Sequence, residues 1–309
     1  MPQEEVAAYT PLRVPQSLHV ELRGVDTHVL RWGAPNARKL FLLHGWMDVA
    51  ASFQFLVDAL EGPFDVIAPD LRGFGRSAWL PQGYWFADYV ADLEALLDCF
   101  APGEHVVLCG HSLGANVVMH YAGVRPGRVA SLIALDGFGI PAEVPERAPD
   151  KFAAWLDSLA DPPSFAPYAS FAAVAERLRR NDPRLTADKA AFLAQHWAAR
   201  SADGRVRLTS DPRHKRPFPA VYRLEETFAV WRCIEARTLW VAAQASHIAK
   251  WLDDRDAGPA DDDPLRGIRK RMTNVRDARL VTVADAGHML HHDQPGQLAR
   301  LIEEFLGQP

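Results

Sequence analysis

Short apolar runs alternate along this chain with segments of helical periodicity, and that alternation constrains the fold more than any other feature. The runs are Lys39–Leu43, Asp65–Ala68, His105–Cys109, Ser131–Leu135, Thr238–Ala242 and Arg279–Val283. Each is apolar enough to be buried on both faces of a sheet, as parallel strands are. Between them, Tyr84–Phe100 and Leu113–Val124 carry apolar residues at helical spacing. This is the signature of parallel strands joined by crossover helices. Ser17–Arg23 and Asp26–Trp32 alternate polar with apolar around Gly24 and predict an opening hairpin. Gln297–Leu306 predicts a short closing amphipathic helix that ends at Gly307. The expectation is an α/β fold whose mostly parallel, eight-stranded sheet has helices on both faces.

The alternation breaks between Gly137 and about Glu235. Prolines (Pro141, Pro145, Pro149) open this stretch, and helical patterns follow at Phe152–Leu159, Phe171–Arg179 and Ala187–Ala199, with no convincing buried strand. It reads as a helical cap inserted over the carboxyl ends of the sheet, where α/β folds bind ligands. The predicted organisation is therefore a core formed by 1–137 and 236–309, interrupted by a cap at 138–235. Asp253–Pro264, acidic and rich in Gly and Pro, reads as a surface loop. A length of 309 residues suits one large domain with such an insertion.

Charge narrows the partners. A net charge of −5 and a pI near 6.2 argue against a nucleic-acid binder. Basic clusters at Arg213, Lys215 and Arg216, and at Arg269, Lys270 and Arg271, have acidic neighbours and read as solvated surface. Cys99, Cys109 and Cys233 are widely spaced, which gives neither a disulfide framework nor a zinc site and points to a reducing cytoplasm. The start, MPQEEVAAYTPLRVP, is unlike a signal peptide. No apolar stretch approaches the ~20 residues of a membrane span, so no membrane partner is expected.

The most informative segment is Gly110-His111-Ser112-Leu113-Gly114, directly after a predicted strand and directly before a predicted helix. A sharp strand-to-helix turn pushes a serine out of the sheet, and glycines let the neighbouring backbone pass close. The following helix aims its N-terminus at a developing oxyanion. Ser112 is the predicted nucleophile; the competing reading is a serine that only caps a helix. Two amides are wanted for the oxyanion: Leu113, next after the nucleophile, and Trp46, in the His44-Gly45-Trp46 turn after an earlier strand. His44 reads as a brace for that turn rather than as a catalytic residue.

His288, in Asp285-Ala286-Gly287-His288 after the last strand, matches the order Ser…acid…His and supplies a near-neutral base. His291 and His292 are its rivals on sequence alone. A metal reading of His288, His291 and His292 lacks an acidic ligand set at fixed spacing, so neither metal nor cofactor is expected.

Leu43-His44-Gly45-Trp46-Met47-Asp48, Asp70-Leu71-Arg72-Gly73-Phe74-Gly75-Arg76-Ser77 and Gly110-His111-Ser112-Leu113-Gly114 resemble the serine-hydrolase-like (kraken-type) esterases. From Leu40 to Phe305 the chain resembles the α/β-hydrolase superfamily with a helical cap. The resemblance implies an acid in the turn after the penultimate strand, yet that turn reads Ala243-Gln244-Ala245-Ser246. Ser246 stands where the aspartate is expected. The favoured replacement is Asp136, at the end of the strand after the nucleophile helix; Asp253, Asp254 or a water-assisted dyad are the alternatives. Asp70 and Arg72 read as a pair within a scaffold turn. Trp85, Phe86, Phe138, Phe152, Trp155 and Trp197 read as core or as the lining of an apolar pocket.

These residues point to hydrolysis of a small apolar acyl ester through an acyl-enzyme. Carbon–carbon bond hydrolysis, amide hydrolysis and acyl transfer use the same parts. A degenerate, ligand-binding member of the fold is the reading from another class, and Ser246 is its support.

Overall fold

The computed structural model describes residues 7–256 and 263–307. Its central sheet runs in the order β1-β2-β4-β3-β5-β6-β9-β10. The strands are β1 (Gln16–Leu22), β2 (Val25–Trp32), β3 (Arg38–Leu43), β4 (Phe64–Pro69), β5 (Val106–His111), β6 (Val129–Leu135), β9 (Arg237–Ala243) and β10 (Ala278–Val283). A separate ribbon pairs β7 (Ala198–Arg200) with β8 (Val206–Leu208). The opening hairpin β1–β2 is antiparallel, and β2 pairs antiparallel with β4. From β4 to β10 every neighbouring pair is parallel.

The contiguous apolar runs are explained by two cores, one on each face of the sheet. Successive residues point to opposite faces. Leu40, Leu42, Val107, Cys109, Ile133, Leu135, Leu239 and Val241 face one core. There they meet α1 (Gln54–Ala59) and the closing helix α11 (Pro295–Gly307). Phe41, Leu43, Leu108, Leu132, Ala134 and Trp240 face the other, against α2 (Phe86–Phe100) and α3 (Leu113–Val124).

Residues 138–235 form α4 (Ala148–Ala160), α5 (Phe171–Asn181), α6 (Ala187–Trp197), the β7–β8 ribbon and α7 (Leu224–Trp231). The ribbon corrects the strandless reading of this stretch. Its strands are three residues each, too short for a periodic signal, yet Val206 is fully buried. No residue of α4 is buried.

After β9 come α8 (His247–Asp256) and α9 (Arg266–Met272), and after β10 comes α10 (Leu290–Asp293). The expected loop at Asp253–Pro264 is therefore helical at its start, and 257–262 lie outside the described residues. Two further expectations are corrected. Arg271 is not solvated surface: it is buried on α9 and donates to the Phe138 and Ile140 carbonyl oxygens at 2.8 and 2.9 Å. Asp70 does not pair with Arg72. Arg72 is bidentate on Asp92, whereas Asp70 accepts from His28 Nδ1 at 2.7 Å and from the Ala50 and Arg76 amides. Among the described residues no helix is long and apolar enough to cross a membrane.

Candidate active site

The turn between β5 and α3 is strained at its serine. Ser112 has φ 51° and ψ −110°, in the left-handed half of backbone space that a side chain ordinarily avoids. The surroundings hold it there. A Cβ on Gly110 would stand 2.2 Å from the Gly114 oxygen, one on Gly114 would stand 2.1 Å from the Leu43 oxygen, and one on Gly137 would stand 2.5 Å from the Ser112 oxygen. No other residue fits at those three positions. The Ser112 amide donates to the Leu135 oxygen at 2.9 Å, and its carbonyl accepts from Asn116 at 3.1 Å. Leu113 opens α3, so its amide has no carbonyl within the helix to bond.

Ser112 Oγ donates to His288 Nε2 at 3.1 Å, and His288 Nδ1 donates to Asp136 Oδ2 at 2.7 Å. A carboxylate can only accept, which fixes the proton on Nδ1 and leaves Nε2 free to accept from the serine. The ring is held through its backbone as well. His111 Nε2 donates to the His288 oxygen at 2.8 Å, and the Gly287 amide donates to Asp293 Oδ2 at 2.7 Å.

Asp136 leaves β6 with φ 45° and donates its amide to the Val241 oxygen on β9 at 2.8 Å. Its Oδ1 accepts from the Ala243 amide at 3.2 Å, and its Oδ2 accepts from Ser246 Oγ at 2.5 Å. Strands β6 and β9 are adjacent and parallel, so their carboxyl ends lie side by side. A carboxylate leaving either strand reaches the same spot, and Ser246, where an aspartate was expected, becomes a donor to Asp136.

The remaining sequence candidates fall elsewhere. His291 and His292 are buried, and His292 Nε2 bonds Ser52 Oγ at 3.1 Å rather than Ser112. Asp253 and Asp254 belong to the backbone of α8, but their side chains lie outside the described residues. His44 braces its turn: it donates from Nδ1 to the Gly45 oxygen at 2.7 Å and accepts the Leu71 amide on Nε2 at 2.9 Å. Gly45 lies close against the elbow, since a Cβ there would sit 3.3 Å from Ser112 Cβ. Trp46 itself is half exposed. Of the aromatics, Phe138 is fully buried against Trp240, Trp197 donates to Asp48 Oδ1 at 3.1 Å, and Trp85 and Phe152 are exposed.

Two features escaped sequence reasoning. His247 flanks the His288 ring with centroids 5.4 Å apart. It opens α8 next to Ser246, after a turn the sequence marks only by a missing aspartate. A second Ser–His–Asp chain also exists. Ser17 Oγ bonds His28 Nε2 at 2.8 Å, and His28 Nδ1 bonds Asp70 Oδ2 at 2.7 Å. Distances alone do not separate the two chains; backbone context does. Ser17 is the second residue of β1, extended and paired with Leu30, with no strand-to-helix turn at it. Asp70 is spread over two amides as well as His28, and these partners outweigh burial and hold its carboxyl below the usual range. That chain anchors the hairpin.

Behind the elbow lie Asp48, His111 and His291, which are the described residues that could hold a metal ion. Burial, and then neighbouring histidines, push both imidazoles well below their usual value, so the rings are neutral. Burial likewise pushes the Asp48 carboxyl up.

Comparison with known proteins agrees with this architecture. Residues 40–301 match the alpha/beta hydrolase family. A serine hydrolase-like protein of Danio rerio is 27% identical over 286 residues, covering 89% of this chain and 83% of that protein. The thioesterase domain from the curacin biosynthetic pathway superposes with a TM-score of 0.79 at 25% identity, over 94% of this chain and 99% of that domain. An esterase of Mycobacterium tuberculosis superposes with a TM-score of 0.70 at 21% identity, over 96% and 92% of the two chains.

Proposed function

Because the chain belongs to the alpha/beta hydrolase family, we propose that this hydrolase cleaves carboxylic esters through an acyl-enzyme, with Ser112 as nucleophile, His288 as general base and acid, and Asp136 as its carboxylate partner. Ser112 Oγ attacks the ester carbonyl as its proton passes to His288 Nε2. Asp136 stabilises the resulting imidazolium and keeps the ring in the productive tautomer. The Trp46 and Leu113 amides, with the N-terminus of α3, hold the oxyanion. His288 returns its proton to the leaving alcohol. Water, activated by the same ring, then attacks the acyl-serine and releases the acid. These steps call for no cofactor.

The observation that carries this reading is a hydrogen-bonded Ser–His–Asp chain that ends on a strained serine at a helix N-terminus. Residues 138–235 act in it as a cap. The exposed Trp46, next to Gly45 and its close approach to Ser112, supports a small apolar acyl substrate. Thioesters are the second reading, favoured by the likeness to the curacin thioesterase domain. Cys99, Cys109 and Cys233 are free, which supports action in a reducing cytoplasm.

A fluorophosphonate probe tests the assignment of the nucleophile. Wild type and Ser17→Ala are expected to be labelled once, Ser112→Ala not at all, and short nitrophenyl esters to turn over only in the first two. Labelling that survives in well-folded Ser112→Ala would overturn the reading.

A further inference from the structure

The buried group beside Ser112 has no direct part in the proposed reaction, although His111 Nε2 steadies the His288 backbone. Asp48, His111 and His291 are 2%, 1% and 0% exposed. Asp48 Oδ2, His111 Nδ1 and both ring nitrogens of His291 have no hydrogen-bond partner among the described residues. One ligand atom from each of the three residues lies within 4.8 Å of the others, and His291 Nε2 is 3.9 Å from Asp48 Oδ2. Buried polar atoms are nearly always satisfied, so three such residues converging on one point call for an occupant.

Hydrogen bonds take up one polar atom in each of two of these groups and leave the other bare. His111 Nε2 carries its proton to the His288 carbonyl, so Nδ1 is the bare nitrogen. A ligating histidine whose other N–H meets a backbone carbonyl is the usual outer arrangement of a metal site. Asp48 Oδ1 is occupied by Ser52 Oγ and Trp197 Nε1, which leaves Oδ2.

We propose that Asp48, His111 and His291 bind one divalent transition ion of the zinc class, with water in the fourth position. Two imidazoles and one carboxylate suit zinc or cobalt rather than calcium or magnesium, which take oxygen ligands. Tetrahedral ligands about 2.0–2.1 Å from the metal lie roughly 3.4 Å apart, so the cluster closes slightly on binding. No local motif announces the site, because its ligands come from the turn after β3, the end of β5 and the start of α10. The ion would tie together the three segments that carry Trp46, Ser112 and His288. The assignment is independent of the ester reading, since it is read by binding.

Cobalt(II) titrated into chelator-stripped protein tests it. Wild type is expected to bind one equivalent, to develop the intense visible bands of tetrahedral cobalt, to lose them on addition of zinc and to melt at a higher temperature with the metal. Asp48→Asn and His291→Phe, checked for folding by circular dichroism, are each expected to weaken binding at least tenfold. Anomalous scattering from a zinc-soaked wild-type crystal should place the ion in contact with all three side chains, which decides the matter even if both variants fail to fold. No stoichiometric binding by wild type would mean that the cluster holds only an internal water. That result, unchanged affinity in a folded variant, or an anomalous peak elsewhere would each overturn the site.

Discussion

Asp136 and Ser246 divide between them a position that a single aspartate would be expected to fill. Oδ2 of Asp136 accepts from both Ser246 Oγ and His288 Nδ1, so the hydroxyl competes with the ring for one oxygen. Removing it leaves the carboxylate a stronger partner for the imidazolium. Ser246→Ala is therefore expected to move the acid limb of the kcat/KM profile to higher pH while kcat stays within about tenfold of wild type, the scale of one hydrogen bond to a charged group. Asp136→Asn is expected to lower kcat about 10⁴-fold. Equal, large losses in both with no movement of the pH profile would count against the competition. Ser112 and His288 were legible because tight glycine turns at strand ends leave marks in sequence. The contact of His288 with Asp136 was less so, because two adjacent strands can deliver a carboxylate to that spot and only their register decides. Arg271 was misleading too, because its basic neighbours read as surface although its guanidinium caps the Phe138 and Ile140 carbonyls.

At the scale of elements, what places the serine is the close approach of α3 to the end of β3. The approach depends on Gly114, whose missing Cβ makes room for the Leu43 and His44 oxygens. Gly114→Ala puts a methyl into backbone rather than into a flexible side chain, so nothing yields cheaply. Overpacking of this kind costs about 3 kcal/mol or more, and the urea midpoint is expected to fall accordingly. Gly127→Ala meets nothing within 4 Å and serves as the control; it should stay within about 0.5 kcal/mol of wild type. If the two variants were equally stable, close approach would not be what holds the elbow. The inner strands β3, β4, β5, β6 and β9 were legible because burial on both faces makes each one a largely apolar run, and the opening hairpin because β1 and β2 alternate around Gly24. The β7–β8 ribbon, α7, α8 and α9 were not. They are short or polar, and their place is set by contacts with distant segments rather than by periodicity.

Across the whole molecule, buried histidines set how stability responds to acid. His214 and His292 are pushed down to about 3, burial being the main cause, and His111 and His291 lie well below the ordinary value for the same reason. In the unfolded chain each titrates near 6.5. As pH falls below 6.5 the unfolded chain therefore takes up protons that the native protein refuses, and stability is lost. Each such histidine contributes a slope of about 1.4 kcal/mol per pH unit until its native value is reached. Asp293 works in the opposite direction. Burial raises it to about 6, so native protein holds a proton there that the unfolded chain has already lost, and its contribution weakens folding as pH rises through the same range. Asp48 and Asp182, also raised chiefly by burial, add to that opposition, but the four histidines outnumber them. Urea unfolding of chelator-stripped protein is expected to show stability falling from pH 6.5 to 5, and His292→Gln should flatten that fall by about one proton's worth. Stability that holds level or rises on acidification would mean that the native protein takes up as many protons as the unfolded chain over this range, and would overturn the dominance of the histidines.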